Sequence, residues 1–348
     1  VDVVTVSRTR RLATVLLAAA LLAPACSHKK HEPVAIPTTT SPSPSPTPSP
    51  TPTKKALLSP FTGLPIDSVR PVIAVKVDNA RLARPQWGLD KADIVYEEAV
   101  EARTTRFLAI YSSHDAGQIG PVRSARESDL PLLRMYGKVA FAFSGGNTGV
   151  LAIVRQAPVY EVSRDRYGNA YTTMGRRKDA YNYVTSTSRI LSYAPKADLA
   201  HDVGFVFGKL PKSATRSGVS VSLVWSQFAH TSWTYDPTHH DYVRYMDGSR
   251  ATLRGGGSMT SPNVVIQYCT VRNSLRFSDV HGVPSPYTTT IGSGNAVLLR
   301  DGKAIVGKWV RDGYGKTHFR DASGKPMPFK PGPVWIMLAP RDLNAVVR

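Results

Sequence analysis

Cysteine is nearly absent from this chain: Cys26 and Cys269 are the two present in 348 residues. With Cys26 taken up by a lipid, as argued below, Cys269 has no partner and an internal disulfide is excluded. No Cys/His spacing of the zinc type occurs, so neither a metal nor another cofactor is expected. Acidic residues are scarce, with 25 Asp and Glu against 44 Lys and Arg and a formal charge of +19. A recognised nucleic-acid module is missing too, so nucleic acid is not an expected partner despite that charge. Long apolar runs are also lacking. The longest, residues 12–25, has about 14 residues, short of the ~20 that a membrane-spanning helix needs.

That short run is informative because of its neighbours. Arg8, Arg10 and Arg11 precede it, Ala23 and Ala25 close it, and Cys26 follows at once. A basic region, an apolar region of ~7–15 residues and small residues at the cut site make a secretory signal. The cysteine directly behind it marks lipidation. Ala23 stands where Leu is usual in such a lipobox, and Pro24 follows it. The plain alternative is secretion after a cut near Ala25 with Cys26 unmodified. Val1 suggests an alternative start codon, with the true start a few residues further in. The expected location is the outer face of the cell membrane, through a lipid anchor.

Residues 38–53 are almost entirely Pro, Ser and Thr. Proline favours extended polyproline II at ~3.1 Å per residue, giving a semi-rigid spacer of roughly 50 Å. Loss of residues 1–25 removes Asp2 and three arginines and leaves +17. Such a surface attracts anionic headgroups and phosphorylated or acidic glycans.

The expected fold class is α+β. After a signal peptide (1–25) and the lipidated Cys26 with its stalk (26–57), a mixed α/β N-terminal domain should span 58–208. A mostly antiparallel β domain should follow over 209–348. In the first part, 72–77, 93–96, 106–111 and 139–143 read as strands. Residues 124–136, 147–156 and 185–193 read as helices, with Ser124 and Asn147 as N-caps. In the second part, 219–225, 232–236, 241–246, 263–271, 296–299, 304–309 and 334–338 read as strands. Asp247-Gly248, Asp301-Gly302 and Ser323-Gly324 supply turns between them. Cys269 falls within one of these strands and reads as a small buried residue, with a reactive thiol as the sharper alternative. His239-His240-Asp241 sits between two strands and reads as a hairpin turn.

Four constellations could carry chemistry. Ser144-Gly145-Gly146-Asn147 leads from a strand into a helix start, where close backbone approach and free N–H groups favour an anion. Ser144 does not sit in the Gly-x-Ser-x-Gly pattern of a hydrolase nucleophile. Arg123-Ser124-Ala125-Arg126 offers two guanidinium forks for carboxylate or phosphate; structural pairing with carboxylates such as Glu97 or Asp129 is the plainer reading. Glu97, Glu98 and Glu101 precede Arg103 and Arg106. Glu97 and Glu98 must point to opposite faces of a strand, whereas Glu97 and Glu101 can share one. Such carboxylates either hydrolyse a glycosidic bond or simply bridge to arginine. Asp78-Asn79 ends a strand, a frequent ligand position in open α/β sheets and also ordinary turn composition.

The order of motifs from Pro-Phe-Thr-Gly-Leu-Pro at 60–65, through Arg-Pro-Val-Ile-Ala-Val-Lys-Val-Asp-Asn at 70–79 and Gly-Leu-Asp-Lys-Ala-Asp-Ile-Val-Tyr-Glu at 88–97, to Gly-Pro-Val-Trp at 332–335 resembles the YerB-type bacterial lipoproteins. These carry a two-part domain of unknown function, and the resemblance spans 59–340. It implies an envelope protein and no particular activity. The motif positions matched are Asp78, Asn79, Arg84, Gln86, Glu97, Glu101, Arg106, Arg123, Ser124, Arg126, Gly145 and Gly146. The family usually has glycines after the position of Glu101, where this chain has Ala102 and Arg103.

The expected function is therefore binding of an anionic envelope polymer or glycan. The residues named for it are Asn79, Arg84, Gln86, Arg106, Arg123, Ser124, Arg126 and Ser144 to Asn147. One alternative is a wall-glycan hydrolase or transferase using Asp78, Glu97 or Glu101. Another is a scaffold for an envelope protein complex, docking through the C-terminal sheet.

Overall fold

Three neighbouring strands buried on both faces set the architecture. The computed structural model describes residues 56–174, 181–279 and 281–348. The signal, Cys26 and the Pro/Ser/Thr tract lie outside these residues. β1 (Ile73–Asp78), β2 (Ile94–Ala99) and β3 (Thr105–Tyr111) are buried at every position. β3 lies between the other two and is antiparallel to both. β4 (Ala140–Phe143) and β5 (Tyr160–Ser163) extend the sheet in parallel beyond β1.

The sheet does not stop at the expected domain boundary. In the second half, three strands, β6 (Ser220–Ser226), β7 (Ala229–Asp236) and β8 (Asp241–Met246), form the centre of a separate antiparallel sheet. The strands after them return to the first. They are β9 (Asn263–Ser278), β10 (Pro284–Thr289), β11 (Gly292–Arg300), β12 (Lys303–Arg311), β13 (His318–Asp321) and β14 (Val334–Pro340). The main sheet runs β13-β12-β11-β9-β14-β2-β3-β1-β4-β5, with β10 paired to β9. β14 is parallel to both β2 and β9. The two halves thus share one sheet, and Lys54–Arg348 is a single compact unit. The C-terminal half is otherwise antiparallel, as expected.

Each face of the main sheet is covered differently. Ile73, Val75, Val77, Phe107 and Trp335 pack with Trp225, Trp233 and Tyr242 of the second sheet, and with Ile190 of helix α3 (Thr187–Tyr193). Val72, Ala74, Ile110 and Phe141 pack with Leu132 and Leu133 of α1 (Asp129–Leu133) and with Val150 and Val154 of α2 (Thr148–Gln156). The first half is therefore strand-dominated, with short helices, rather than an evenly mixed α/β layer structure.

The expected helix 124–136 shrinks to α1 and one 3-10 turn, Arg134–Tyr136. Proline in a helix interior removes a hydrogen bond and clashes with the carbonyl four residues back. Pro131 is tolerated only in a first turn, so the helix starts after Ser124. Residues 123–125 instead run extended: Arg123 N–H donates to Lys76 O at 2.8 Å and Ala125 N–H to Gly145 O at 2.9 Å. The helix expected from Asn147 is present, and the Asn147 side chain accepts from Gly149 N–H.

Adjacent acids on β2 bind the layers together. Glu98 faces α1, where buried Lys76 bridges it to Asp129, the latter at 2.7 Å. Glu97 faces the second sheet, where buried Arg244 reaches it at 2.8 Å. Arg244 also lies over Trp335, Phe107 and Trp233, 4.9, 5.1 and 5.3 Å from the ring centroids.

Between β2 and β3 the chain turns through Ala102 at φ 55° and Arg103 at φ 49°, closed by Val100 N–H to Thr104 O at 2.8 Å. The tight turn forms without glycine. A side chain in that region costs about 1–2 kcal/mol per residue. Ala102→Gly should raise the unfolding free energy by about 0.5–1 kcal/mol in urea titration, part of the gain being offset by added freedom of the unfolded chain. Lys76→Met should lower it by about 3–5 kcal/mol at neutral pH, because two buried carboxylates lose their shared cation.

Candidate functional site

β1, β2, β4 and β9 run in one direction, so their carboxyl ends gather at one edge of the sheet. Strand periodicity puts Asp78 and Arg106 on the helix-covered face, opposite each other in register. The chain after β2 brings Glu101 to the same edge, and the chain after β4 brings Gly146 and Asn147. Between them is a cleft of about 570 Å³. Its walls include Glu101, Arg106, Arg123, Ser124, Arg126 and Asn147. The 16-residue β9 and its partner β10 close the far side through Ser278, Asp279, His281 and Ser285.

Two of the arginines are fixed by carboxylates. Arg123 Nε lies 2.9 Å from Asp78 Oδ2. Arg126 Nη2 donates to Glu101 Oε2 at 2.6 Å, and its Nη1 to Ala125 O at 3.1 Å. Arg106 differs. It is 9% exposed, and its Nε and Nη1 have no acceptor among the described residues. Burial, with the Arg126 charge beside it, lowers this guanidinium to about 10, still cationic at neutral pH.

Gly145 explains the glycine pair at the end of β4. Its φ of 152° suits glycine. The turn lets Ser144 N–H donate to Arg123 O at 3.0 Å, which locks the arginine segment to the β4 end. Asn147 caps α2 at 2.8 Å and donates through Nδ2 to Ser278 O at 2.9 Å, tying α2 to the β9 end.

The remaining sequence candidates lie elsewhere. Glu97 is fully buried, accepting from Thr105 Oγ1 at 2.9 Å, Thr231 Oγ1 at 3.0 Å and Arg244, on the opposite face from the cleft. Glu97 and Glu101 therefore do not share a face. Asn79 donates to Thr105 Oγ1 at 2.7 Å, and Gln86 donates to Asn79 Oδ1 at 3.1 Å. Asn79, Arg84 and Gln86 line a second, smaller cleft of about 260 Å³ with Asp247. Ser144 acts through its backbone and lines neither cleft. Cys269 is fully buried, and burial pushes its thiol up to about 12, which removes the reactive reading. His239 and His240 occupy the β7–β8 turn, with His239 Nδ1 2.7 Å from Asp236 Oδ2.

Sequence reasoning passed over Lys76, Arg244 and the wall supplied by β9 and β10, and weighed Asp129 only as a partner for the arginines at 123 and 126. A lysine inside the apolar run 72–77 was a readable sign of a buried partner, since lysine is rarely buried unpaired. Arg244 alternates with aromatic residues on β8 and gave a fainter sign. Ser278 to Ser285 carried none, because the sheet order that brings them to Glu101 spans both halves.

Known proteins match this arrangement over most of its length. Residues 61–200 match the N-terminal domain of a family described as a protein of unknown function, DUF3048. Residues 221–336 match the C-terminal domain of the same family. A Bacillus subtilis (strain 168) protein named "Putative lipoprotein YerB" is 30% identical over 302 residues, covering 84% of this chain and 88% of the relative. The crystal structure of YerB protein from Bacillus subtilis superposes with a TM-score of 0.72 at 26% identity, covering 83% of this chain and 99% of that one. With both family domains matched in order and a YerB relative aligned across most of both chains, this protein belongs to the DUF3048 family.

Proposed function

We propose that the protein is an extracytoplasmic lipoprotein, anchored through Cys26, whose arginine-lined cleft binds an anionic polymer or glycan of the cell envelope. The observation that carries this is the convergence of Arg106, Arg123 and Arg126 with the Gly146-Asn147 helix start in one open cleft. The lipoprotein character of the YerB relative supports the anchor. A Pro-rich spacer then holds the cleft off the membrane, among envelope polymers.

The carboxylates support binding better than hydrolysis. Glycosidic cleavage needs one carboxyl held protonated as an acid. Burial alone would raise Glu101, but the hydrogen bond and charge of Arg126, the Ser285 hydroxyl and the Arg106 charge outweigh it and hold the carboxyl at about 2. Glu101 is thus a fixed anion that orients Arg126. Asp78 Oδ2 lies 2.9 Å from Arg123 Nε, and Glu97 is on the opposite face of the sheet, paired with Arg244.

Co-sedimentation of the full chain in mild detergent with purified acidic envelope fractions, across a salt series, tests this reading. Wild type should show saturable binding to one polymer that persists at ~0.15 M salt, where contacts between distant exposed charges are screened. Arg123→Ala with Arg126→Ala should lose at least tenfold in affinity. Arg126→Gln with Glu101→Gln removes a charge pair together and serves if the first variant unfolds. Equal binding by wild type and both variants overturns the proposal.

Glu101 also predicts a pH effect on stability. Its carboxyl lies below the ordinary 4.5 when folded, so the folded protein is stabilised above that value and loses the contribution as pH falls towards 2. Glu101→Gln should be less stable at pH 7 and lose less than wild type between those limits, as read by denaturant midpoints.

A further inference from the structure

We propose that Arg106 and the first turn of α2 form a seat for a phosphoryl group, so that the ligand of the cleft is a phosphate ester of a polyol. This rests on the polymer-binding reading above and names its chemistry.

Three guanidiniums line the cleft, and they differ in whether a carboxylate stands beside them. Arg123 and Arg126 each have a carboxylate partner within 3 Å. Arg106 has none within salt-bridge distance among the described residues, although it is nine-tenths buried and lines the cleft. A buried cation without an acceptor is costly to the folded state, and the cost is relieved by a bound anion. Across the cleft, α2 presents its N-terminus. The first N–H groups of a helix have no intrahelical acceptor. Asn147 Oδ1 takes that of Gly149, which leaves the Thr148 and Val150 N–H groups, and both residues line the cleft.

The direction of these donors selects the anion. Arg106 reaches the cleft from β3 in the sheet and α2 from the layer covering it, so a group held by both would accept from two sides. A carboxylate offers two coplanar oxygens and suits a single fork. A phosphoryl group offers three or more oxygens in a tetrahedral array and suits donors that converge from different walls. Carboxylate positions beside Arg123 and Arg126 are already filled by Asp78 and Glu101. The other acid on the wall, Asp279, has its Oδ1 occupied by the His281 and Val283 N–H groups at 2.9 Å each. The volume of about 570 Å³ exceeds what a lone phosphate fills, and Ser124, Thr104 and His281 supply polar walls for the alcohol part of an ester.

Calorimetric titration of the full chain in mild detergent, at constant ionic strength, tests this with inorganic phosphate, glycerol phosphate and acetate. Wild type should bind glycerol phosphate at least tenfold more tightly than acetate, and glycerol phosphate should raise its melting temperature. Arg106→Gln should weaken glycerol phosphate binding at least tenfold and abolish the rise in melting temperature that glycerol phosphate gives wild type. Arg106→Lys keeps the charge without the fork, serves if the first variant fails to fold, and should bind several-fold more weakly than wild type. Equal binding of acetate and glycerol phosphate, or unchanged binding in both Arg106 variants, overturns the proposal. Capture of soluble poly(glycerol phosphate), or instead of phosphatidylglycerol vesicles, assigns the ester to a polymer or to a lipid headgroup. A polyuronate retained by the protein and not displaced by phosphate overturns the phosphoryl seat while leaving polymer binding intact. Phosphate binding with no polymer retained does the reverse.

Discussion

Two neighbouring glutamates on one strand hold this structure together. Because a strand sends successive side chains to opposite faces, Glu97 and Glu98 carry a negative charge into both core layers at once. Each finds a buried cation. Arg244 ties the second sheet to the main one, and Lys76 with Asp129 ties α1 to it. A buried ion pair adds little stability compared with a well-packed apolar replacement, but it is severe on any arrangement that separates its members. The register between β1, β2 and β3 is thereby restricted, since a one-residue slip would put Glu98 among Trp233 and Trp335 and strand Lys76 alone.

The cleft inherits its position from that register. Asp78 and Arg106 face each other because β1 and β3 pair as they do, and Glu101 leaves β2 one turn from the strand end. Arg123 and Arg126 are brought in by an extended segment hydrogen-bonded to Lys76 on one side and to the Ser144–Gly145 turn on the other. Each conspicuous local motif of the first half is thus a support for the next, and the two fixed guanidiniums stand beside one that has no acceptor.

Much of this was legible in the chain. Apolar runs bounded by turn residues located most of the strands, and the Asn147 cap located α2. Arg106, Arg123 and Arg126 line one cleft with the Gly146-Asn147 end of the strand-to-glycine-to-helix turn. What was not legible has physical causes. The helix expected at 124–136 ignored the position of Pro131, which allows a first turn but not an interior. Arg84 and Gln86 were grouped with Arg123 and Arg126 as motif positions of the resembling family, but they line a separate cleft. The role of Glu97 depended on Arg244, 147 positions away, and no local pattern reports a partner at that distance. The shared sheet was invisible for the same reason: β14 reads as an ordinary apolar strand, and nothing in it announces that its neighbour is β2.

That placement of β14 bears on how the protein assembles. A chain emerges N-terminus first, and domains generally fold as they appear. Here the first half cannot finish alone. The edge of β2 that pairs Ile94 with Val334 stays open until nearly the whole chain has been delivered. An unpaired strand edge is a template for mispairing with another molecule. Contacts of such sequence separation also slow folding. The main sheet is therefore completed in one late event, when Val334–Pro340 reaches the open edge of β2.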